Sequence, residues 1–227
     1  METTIINIPC SIDRELLLKN LHLKANSPYL EKAEEMIDQA LAVGKPKSVY
    51  KLAYIESKDD DFVVIDGIKF TSRVLRVNLE EAFKVVPYVI TCGEELQEWA
   101  KTFNDMFDTY CADEIMQGVL RSARQSVFLQ IDEEFRLGHS VNMNPGSLLN
   151  WPINEQKPLF QLLGNVKDMI GVELKDSFLM SPIKSVSGFR FSKEGSYENC
   201  QLCPREKCPG RKATYDKKLY EEKYRQK

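Results

Sequence analysis

One amphipathic stripe constrains the fold of this 227-residue chain more than any other feature of its sequence. Apolar side chains recur at helical spacing over residues 112–137, which predicts a long helix that Gly138 terminates. Such a stripe is typical of packing against a core, so we interpret it as structural. It consists of Ile115, Val119, Ala123, Val127, Ile131 and Phe135.

Shorter patterns predict a mixture of helices and strands. Ser27 and Gly44 mark the start and the end of another helix. The Asp66-Gly67 pair between two apolar runs predicts a tight hairpin, and residues 85–91 predict a buried strand. Strands and helices do not alternate regularly, which disfavours a doubly wound sheet. We therefore expect an α+β fold with an antiparallel sheet.

Four further elements are expected along the chain. A helix after Cys92-Gly93 would carry Leu96, Trp99, Phe103 and Phe107 on one face, again as ordinary core. A short helix is expected at about residues 154–163, and strands are expected at 177–180 and 183–191.

Charge and hydropathy exclude two classes of partner. The net charge of −3 argues against general nucleic-acid binding. The densest apolar stretch, residues 85–92, is far shorter than the ~20 residues that a membrane helix needs. The chain also lacks a basic start followed by an apolar run, so we expect a cytoplasmic protein.

A cysteine motif near the C-terminus is the strongest chemical signal. Cys200, Cys203 and Cys208 lie within nine residues, and their thiolates could bind zinc or an iron–sulfur cluster. The spacing favours a metal over free thiols but does not separate the two metals. A zinc knuckle that pins the tail, or three unligated thiols, remain alternatives. We assign residues 1–199 to the body and 200–227 to a basic tail.

Common catalytic patterns are absent. The sequence has no dinucleotide or phosphate-binding glycine loop and no nucleophile elbow, and it has only two histidines, His22 and His139. A histidine-based triad or a zinc hydrolase site is therefore not expected. We do not expect the chain to turn over a substrate by itself.

The stretch LKDSFLMSPIKSVSGFRFS, residues 174–192, resembles the reactivation domain of cobalamin-dependent methionine synthase. That domain carries a segment of the form LTESFAMWPGASVSGWYFS, which aligns without gaps. Pro145-Gly146 and the stretch 151–164 also resemble family segments, as does Thr91-Cys92-Gly93. The whole chain looks like a stand-alone version of the module.

The resemblance implies a fold and a function. The fold would be a bent, mainly antiparallel sheet flanked by long helices. The family module binds S-adenosylmethionine and sits over the corrin while an inactive Co(II) state is reduced and remethylated. By resemblance, this chain would dock on a corrinoid methyltransferase that carries the cobalamin, and an electron donor is a further expected partner. An iron–sulfur cluster in the tail would suit such a redox role.

Two segments form the expected docking or ligand surface. The first is the loop of residues 145–152, with Asn142 shortly before it, and the second is the SVSG run of residues 185–188. Their residues are Asn142, Pro145, Gly146, Ser147, Trp151, Ser185, Val186, Ser187 and Gly188.

Two positions depart from the family. Its loop arginine, which contacts S-adenosylmethionine, falls on Asn142, and its tyrosine falls on Ser147. Because asparagine lacks a guanidinium that can bind a carboxylate through two charged hydrogen bonds, the expectation of S-adenosylmethionine binding is weakened. The alternatives are a subunit of a split methionine synthase and an S-adenosylmethionine-binding module with a zinc-stapled tail.

Overall fold

The computed structural model describes residues 2–148, 150–193, 199–205, 207, 211 and 213–224, except for the side chains of residues 199 and 223. The helices are α1 (Arg14–Asn20), α2 (Leu30–Val43), α3 (Arg73–Asn78), α4 (Glu94–Ala100), α5 (Met106–Glu134), α6 (Gln156–Leu163), α7 (Val166–Ile170) and α8 (Lys217–Leu219). None of the helices in these ranges is long and apolar enough to cross a membrane.

The strands are β1 (Thr4–Asn7), β2 (Lys47–Tyr50), β3 (Ala53–Lys58), β4 (Phe62–Ile65), β5 (Ile68–Thr71), β6 (Lys84–Thr91), β7 (Ser140–Met143), β8 (Glu173–Leu174), β9 (Met180–Ser181) and β10 (Ser185–Ser192). Strand β6 is central: β2 and β3 pair along one of its edges, and β10 pairs along the other. All of the pairings are antiparallel, and β8 and β9 form a separate hairpin. The expected α+β fold with a bent antiparallel sheet is confirmed.

The sheet separates two apolar cores. Strand β6 is buried along its length because alternate side chains enter opposite cores. Val85 and Val89 face the core beneath α3, α6 and α7, whereas Val86, Tyr88 and Ile90 face the core beneath α2, α4 and α5. The expected buried strand thus lies in a sheet that forms the middle layer of a three-layer structure, with helices on both faces.

The long helix α5 begins earlier than its stripe predicts. Asp105 caps it by accepting hydrogen bonds from the backbone N–H groups of Phe107 and Asp108, at 2.9 and 3.3 Å. Phe107 therefore belongs to α5, and the expected single helix from Leu96 to Phe107 is wrong because α4 ends at Ala100. Helix α5 ends at Glu134, four residues before Gly138.

The expected strand at 177–180 is also wrong. Residues 175–179 form a tight turn between β8 and β9, closed by a hydrogen bond from the N–H of Phe178 to the carbonyl of Lys175 at 2.9 Å, and only Met180 of the expected range lies in a strand. Phe178 has a positive φ of 62°, which a strand residue does not adopt. The Asp66-Gly67 hairpin, by contrast, is confirmed between β4 and β5.

Candidate functional site

A loop after β7 brings most of the expected site residues to β10. We call residues 144–151, of which Leu149 is not described, the site loop. Gly146 has a positive φ of 81°, and its N–H donates to the carbonyl of Trp151 at 2.8 Å. The hydroxyl of Ser147 donates to the carbonyl of Asn144 at 2.6 Å. The loop is therefore closed on itself by its own hydrogen bonds.

Asn144, which the sequence analysis missed, fastens this loop to the sheet. Its amide nitrogen donates to the hydroxyl of Tyr88 at 2.9 Å and to the carbonyl of Ser187 at 2.7 Å. Its amide oxygen accepts from Asn142 at 3.1 Å. Burial raises the pKa of Tyr88 to about 12, so the phenol stays protonated at neutral pH. The only signal in the sequence was the Asn-Pro pair, which indicates a turn and not this contact.

Gly188 makes this contact sterically feasible. A Cβ atom at Gly188 would lie 2.4 Å from the carbonyl oxygen of Met143, 2.6 Å from the amide nitrogen of Asn144 and 2.8 Å from the hydroxyl of Tyr88. The close approach of the loop to β10 thus requires a residue without a side chain. This gives a physical reason for the glycine of the SVSG run.

Trp151 fixes the far end of the site loop. Its ring is fully buried and stacks on Phe189 of β10, with a centroid distance of 5.8 Å and an angle of 7° between the rings. Trp151 therefore acts as an anchor, and its ring is not available to a ligand at the surface.

The two serines of the SVSG run, Ser185 and Ser187, connect β10 to neighbouring segments through their hydroxyl groups. Ser187 donates to the side-chain oxygen of Gln156 at 3.2 Å, and Gln156 donates to the carbonyl of Phe178 at 2.9 Å. Both side chains are buried, so this chain of bonds holds the β8–β9 turn against α6.

The first half of the SVSG run contacts the central strand. The hydroxyl of Ser185 donates to the hydroxyl of Thr91, at the end of β6, at 2.9 Å. Val186, opposite Ile90, is half-buried against the other core.

Asn142 lies in an unexpected electrostatic setting. It pairs directly across the β7–β10 ladder with Arg190. Arg190 binds Asp132 of α5 through two hydrogen bonds, at 2.7 and 2.5 Å, and its guanidinium lies over the ring of Phe128. Asp132 thus already neutralises the guanidinium of Arg190 beside Asn142.

Exposed apolar side chains flank the site loop and the β8–β9 turn. Ile153, next to Gly146, is 43% exposed, Leu179 is 57% exposed and Ile183 is 62% exposed. Ile153 lies two residues after the site loop, Leu179 lies within the β8–β9 turn, and Ile183 lies two residues after β9. Large apolar side chains on ordered turns favour contact with a partner surface.

The cysteine motif is only partly described. Cys200 and Cys203 begin a loop in which the N–H of Cys203 donates to the carbonyl of Cys200 at 3.3 Å, while Cys208 lies outside the described residues. Arg211 donates to the carbonyls of both cysteines, at 3.3 and 3.1 Å, and to those of Arg205 and Ala213. Within the described ranges, no group of three or more potential ligands lies together.

Two comparisons with known proteins bear on this geometry. The fold matches a structure described as "Crystal Structure of the MetH Reactivation Domain bound to AdoHcy", with a TM-score of 0.63 and 16% sequence identity. The match covers 87% of this chain and 81% of that chain. At this level of identity, the likeness shows the fold.

A family model described as "Vitamin B12 dependent methionine synthase, activation domain" matches residues 150–208. That range includes α6, β10 and all three cysteines of the motif. The resemblance that residues 174–192 predicted is therefore confirmed. A search of curated proteins found no match.

We predict that Asn144→Asp loosens the site loop. The hydroxyl of Tyr88 can turn to donate to the carboxylate, but the carbonyl of Ser187 cannot, so one hydrogen bond becomes a repulsive contact between two oxygens and a charge is half-buried. The free energy of unfolding should fall by about 2–4 kcal/mol in urea titrations. Asn154→Asp is the matched control, because Asn154 is exposed in the turn before α6 and should cost less than about 0.5 kcal/mol. Equal effects of the two variants would contradict the assignment.

Proposed function

We propose that this chain is an accessory protein that docks on a cobalamin-dependent methyltransferase, such as methionine synthase, and supports its reductive reactivation. The observation that carries the proposal is the position of the family match. Residues 150–208 include β10 and Gln156, the elements on which the site loop and the β8–β9 turn are fastened. The part of the chain that matches the family model thus supplies elements that support the candidate surface, while Asn144 and Tyr88 lie outside the matched range.

The surface suits docking better than catalysis. Its polar side chains, Asn144, Ser187 and Gln156, are bonded to one another or to the backbone, so they order the loop and the turn. Its exposed groups at Ile153 and Leu179 are apolar, and they would exclude water where a partner covers them. The corrinoid on the partner supplies the cobalt chemistry, and an electron donor supplies the electron. A cytoplasmic location fits this role.

Docking is tested by the affinity of the chain for a purified, cobalamin-loaded fragment of methionine synthase. We predict that Leu179→Glu weakens binding by ~10-fold or more, because a charge would enter an apolar contact. Leu129→Glu is the matched control. Leu129 is 72% exposed on α5, and that helix covers the other core of the protein. Calorimetry and the visible absorbance of the corrinoid measure the complex. No binding of the wild-type chain, or equal losses in the two variants, would contradict the proposal.

A metal at the cysteine motif is a second proposal. The guanidinium of Arg211 donates hydrogen bonds to the carbonyls of both Cys200 and Cys203. The loop has therefore lost part of its conformational freedom before any ligand binds. Thiolates on a preordered loop suit zinc or an iron–sulfur cluster. An iron–sulfur cluster would make the chain an electron carrier, whereas zinc would staple the C-terminal segment.

Metal content of anaerobically purified protein tests this proposal. We predict about one zinc ion, or iron with sulfide and a broad visible absorbance, in the wild-type chain. Cys203→Ser should lose the metal, whereas Cys10→Ser should keep it, because Cys10 lies between β1 and α1. A metal-free wild-type protein, or a metal that survives Cys203→Ser, would refute the site.

A third proposal concerns the affinity of this chain for S-adenosylmethionine. The solved relative is described as bound to AdoHcy, which favours a related ligand here. Asn142, however, takes part in the network around Asn144 and carries no charge. A missing charged hydrogen bond costs about 1.5–3 kcal/mol, or roughly 10- to 150-fold in affinity. We therefore propose that this ligand, if retained, binds weakly.

A further inference from the structure

The C-terminal segment is hydrogen-bonded to the site loop through one residue. The side-chain amide of Asn150 donates to the hydroxyl of Tyr220 at 3.0 Å and to the carbonyl of Tyr224 at 3.2 Å. The backbone carbonyl of Asn150 accepts from Ser72 at 2.7 Å. Asn150 therefore joins three parts of the chain: the site loop, the start of α3 and the C-terminal segment.

The same segment is anchored in the core on either side of this contact. Tyr224 is 3% exposed, and its hydroxyl donates to the side-chain oxygen of Asn78 at 3.1 Å. Leu202 is also 3% exposed and packs with the core of α3, α6 and α7. The N–H of Asp216 donates to the carbonyl of Gln201 at 2.8 Å, which connects the two anchors. The segment is thus a packed part of the structure.

Packing between the anchors is incomplete. A cavity of about 80 Å³ lies between the segment and the body, lined by Leu148 and Asn150 of the site loop and by Leu202, Tyr215 and Tyr220 of the segment. The lining side chains lack dispersion contacts across this cavity, so the hydrogen bonds to Asn150 supplement the packing of Leu219 and Tyr220 against the core. Such a segment opens at a lower free energy than the core around it.

We infer that the described residues between 199 and 224 form a strap that orders the site loop, with Asn150 as the positioning residue between them. When the strap is seated, the amide of Asn150 is fixed at two acceptors, and the loop between Asn144 and Trp151 is held at both ends. When the strap lifts, the side-chain amide of Asn150 loses both of its acceptors, and the loop keeps Asn144, the bond from Ser72 and the Trp151 ring as anchors. The inference rests on the proposed docking function, because its consequence is that strap seating sets the affinity of the loop for its partner.

The experiment uses the full chain with the substitutions Tyr220→Phe and Tyr224→Phe combined. Both lie in the strap, so a change in the loop must pass through the strap contact. We expect amide hydrogen exchange in peptides from 144–151 to become roughly 25-fold faster, since the two lost hydrogen bonds, from Asn150 to Tyr220 and from Tyr224 to Asn78, are each worth about 5-fold. Affinity for the cobalamin-loaded fragment should fall by a similar factor. Tyr110→Phe, an exposed position on α5, should change neither quantity.

Exchange of β6 amides separates this coupling from general destabilisation. Loop exchange that is unchanged, or accelerated by the same factor as β6, would overturn the strap. Coupling between two sites is reciprocal, so Asn150→Ala should accelerate exchange in peptides from 213–224. Its failure to do so would also overturn the inference. Because the exchange measurements need no partner, their failure is distinct from a failure of docking.

Discussion

The approach of Asn144 to Gly188 is the contact on which the rest of the candidate surface depends. The amide can reach Tyr88 and the carbonyl of Ser187 only because no Cβ occupies the space above Gly188. A half-buried amide that lost these partners would carry an unsatisfied donor, which costs up to about 1–3 kcal/mol. The loop is therefore fixed by polar bonds inside the sheet, and its surface is free to carry apolar groups.

This contact works because β6 is rigid. Tyr88 lies in the middle of that strand, which is paired on both edges and buried on both faces. From β10, further bonds reach the β8–β9 turn through Gln156. The site loop and the turn are thus both held in position relative to the same central strand. A surface built on such elements keeps its shape when a partner binds.

The sequence was informative where a signal was local and periodic. The stripe of α5, the Asp-Gly hairpin and the buried run of β6 each follow from spacing alone, and the structure confirms all three. The start of α5 was misplaced because a cap, Asp105, decides it and apolar spacing does not. Strand β7 was missed because four half-polar residues carry too weak an alternation.

The sequence predicted where the candidate site lies, but it did not predict the side-chain contacts that hold the site together. The matched motif pointed to Ser187 and Gly188, yet Asn144, Gln156 and Asn150 act through partners far away in the chain. No local pattern encodes those pairings, since each depends on the tertiary arrangement. Trp151 was expected at the surface, and burial against Phe189 instead makes it an anchor.

Reactivation of an oxidised corrinoid enzyme is the measurement that tests the central claim most directly. A cobalamin-dependent methyltransferase held in the inactive Co(II) state would be supplied with a reductant and a methyl donor, with and without this chain, and the return of activity would be followed. The account predicts faster recovery with the chain, and a loss of that effect when Asn144 is replaced by Asp. Recovery at the same rate with and without the chain, under conditions in which the two proteins bind, would contradict it.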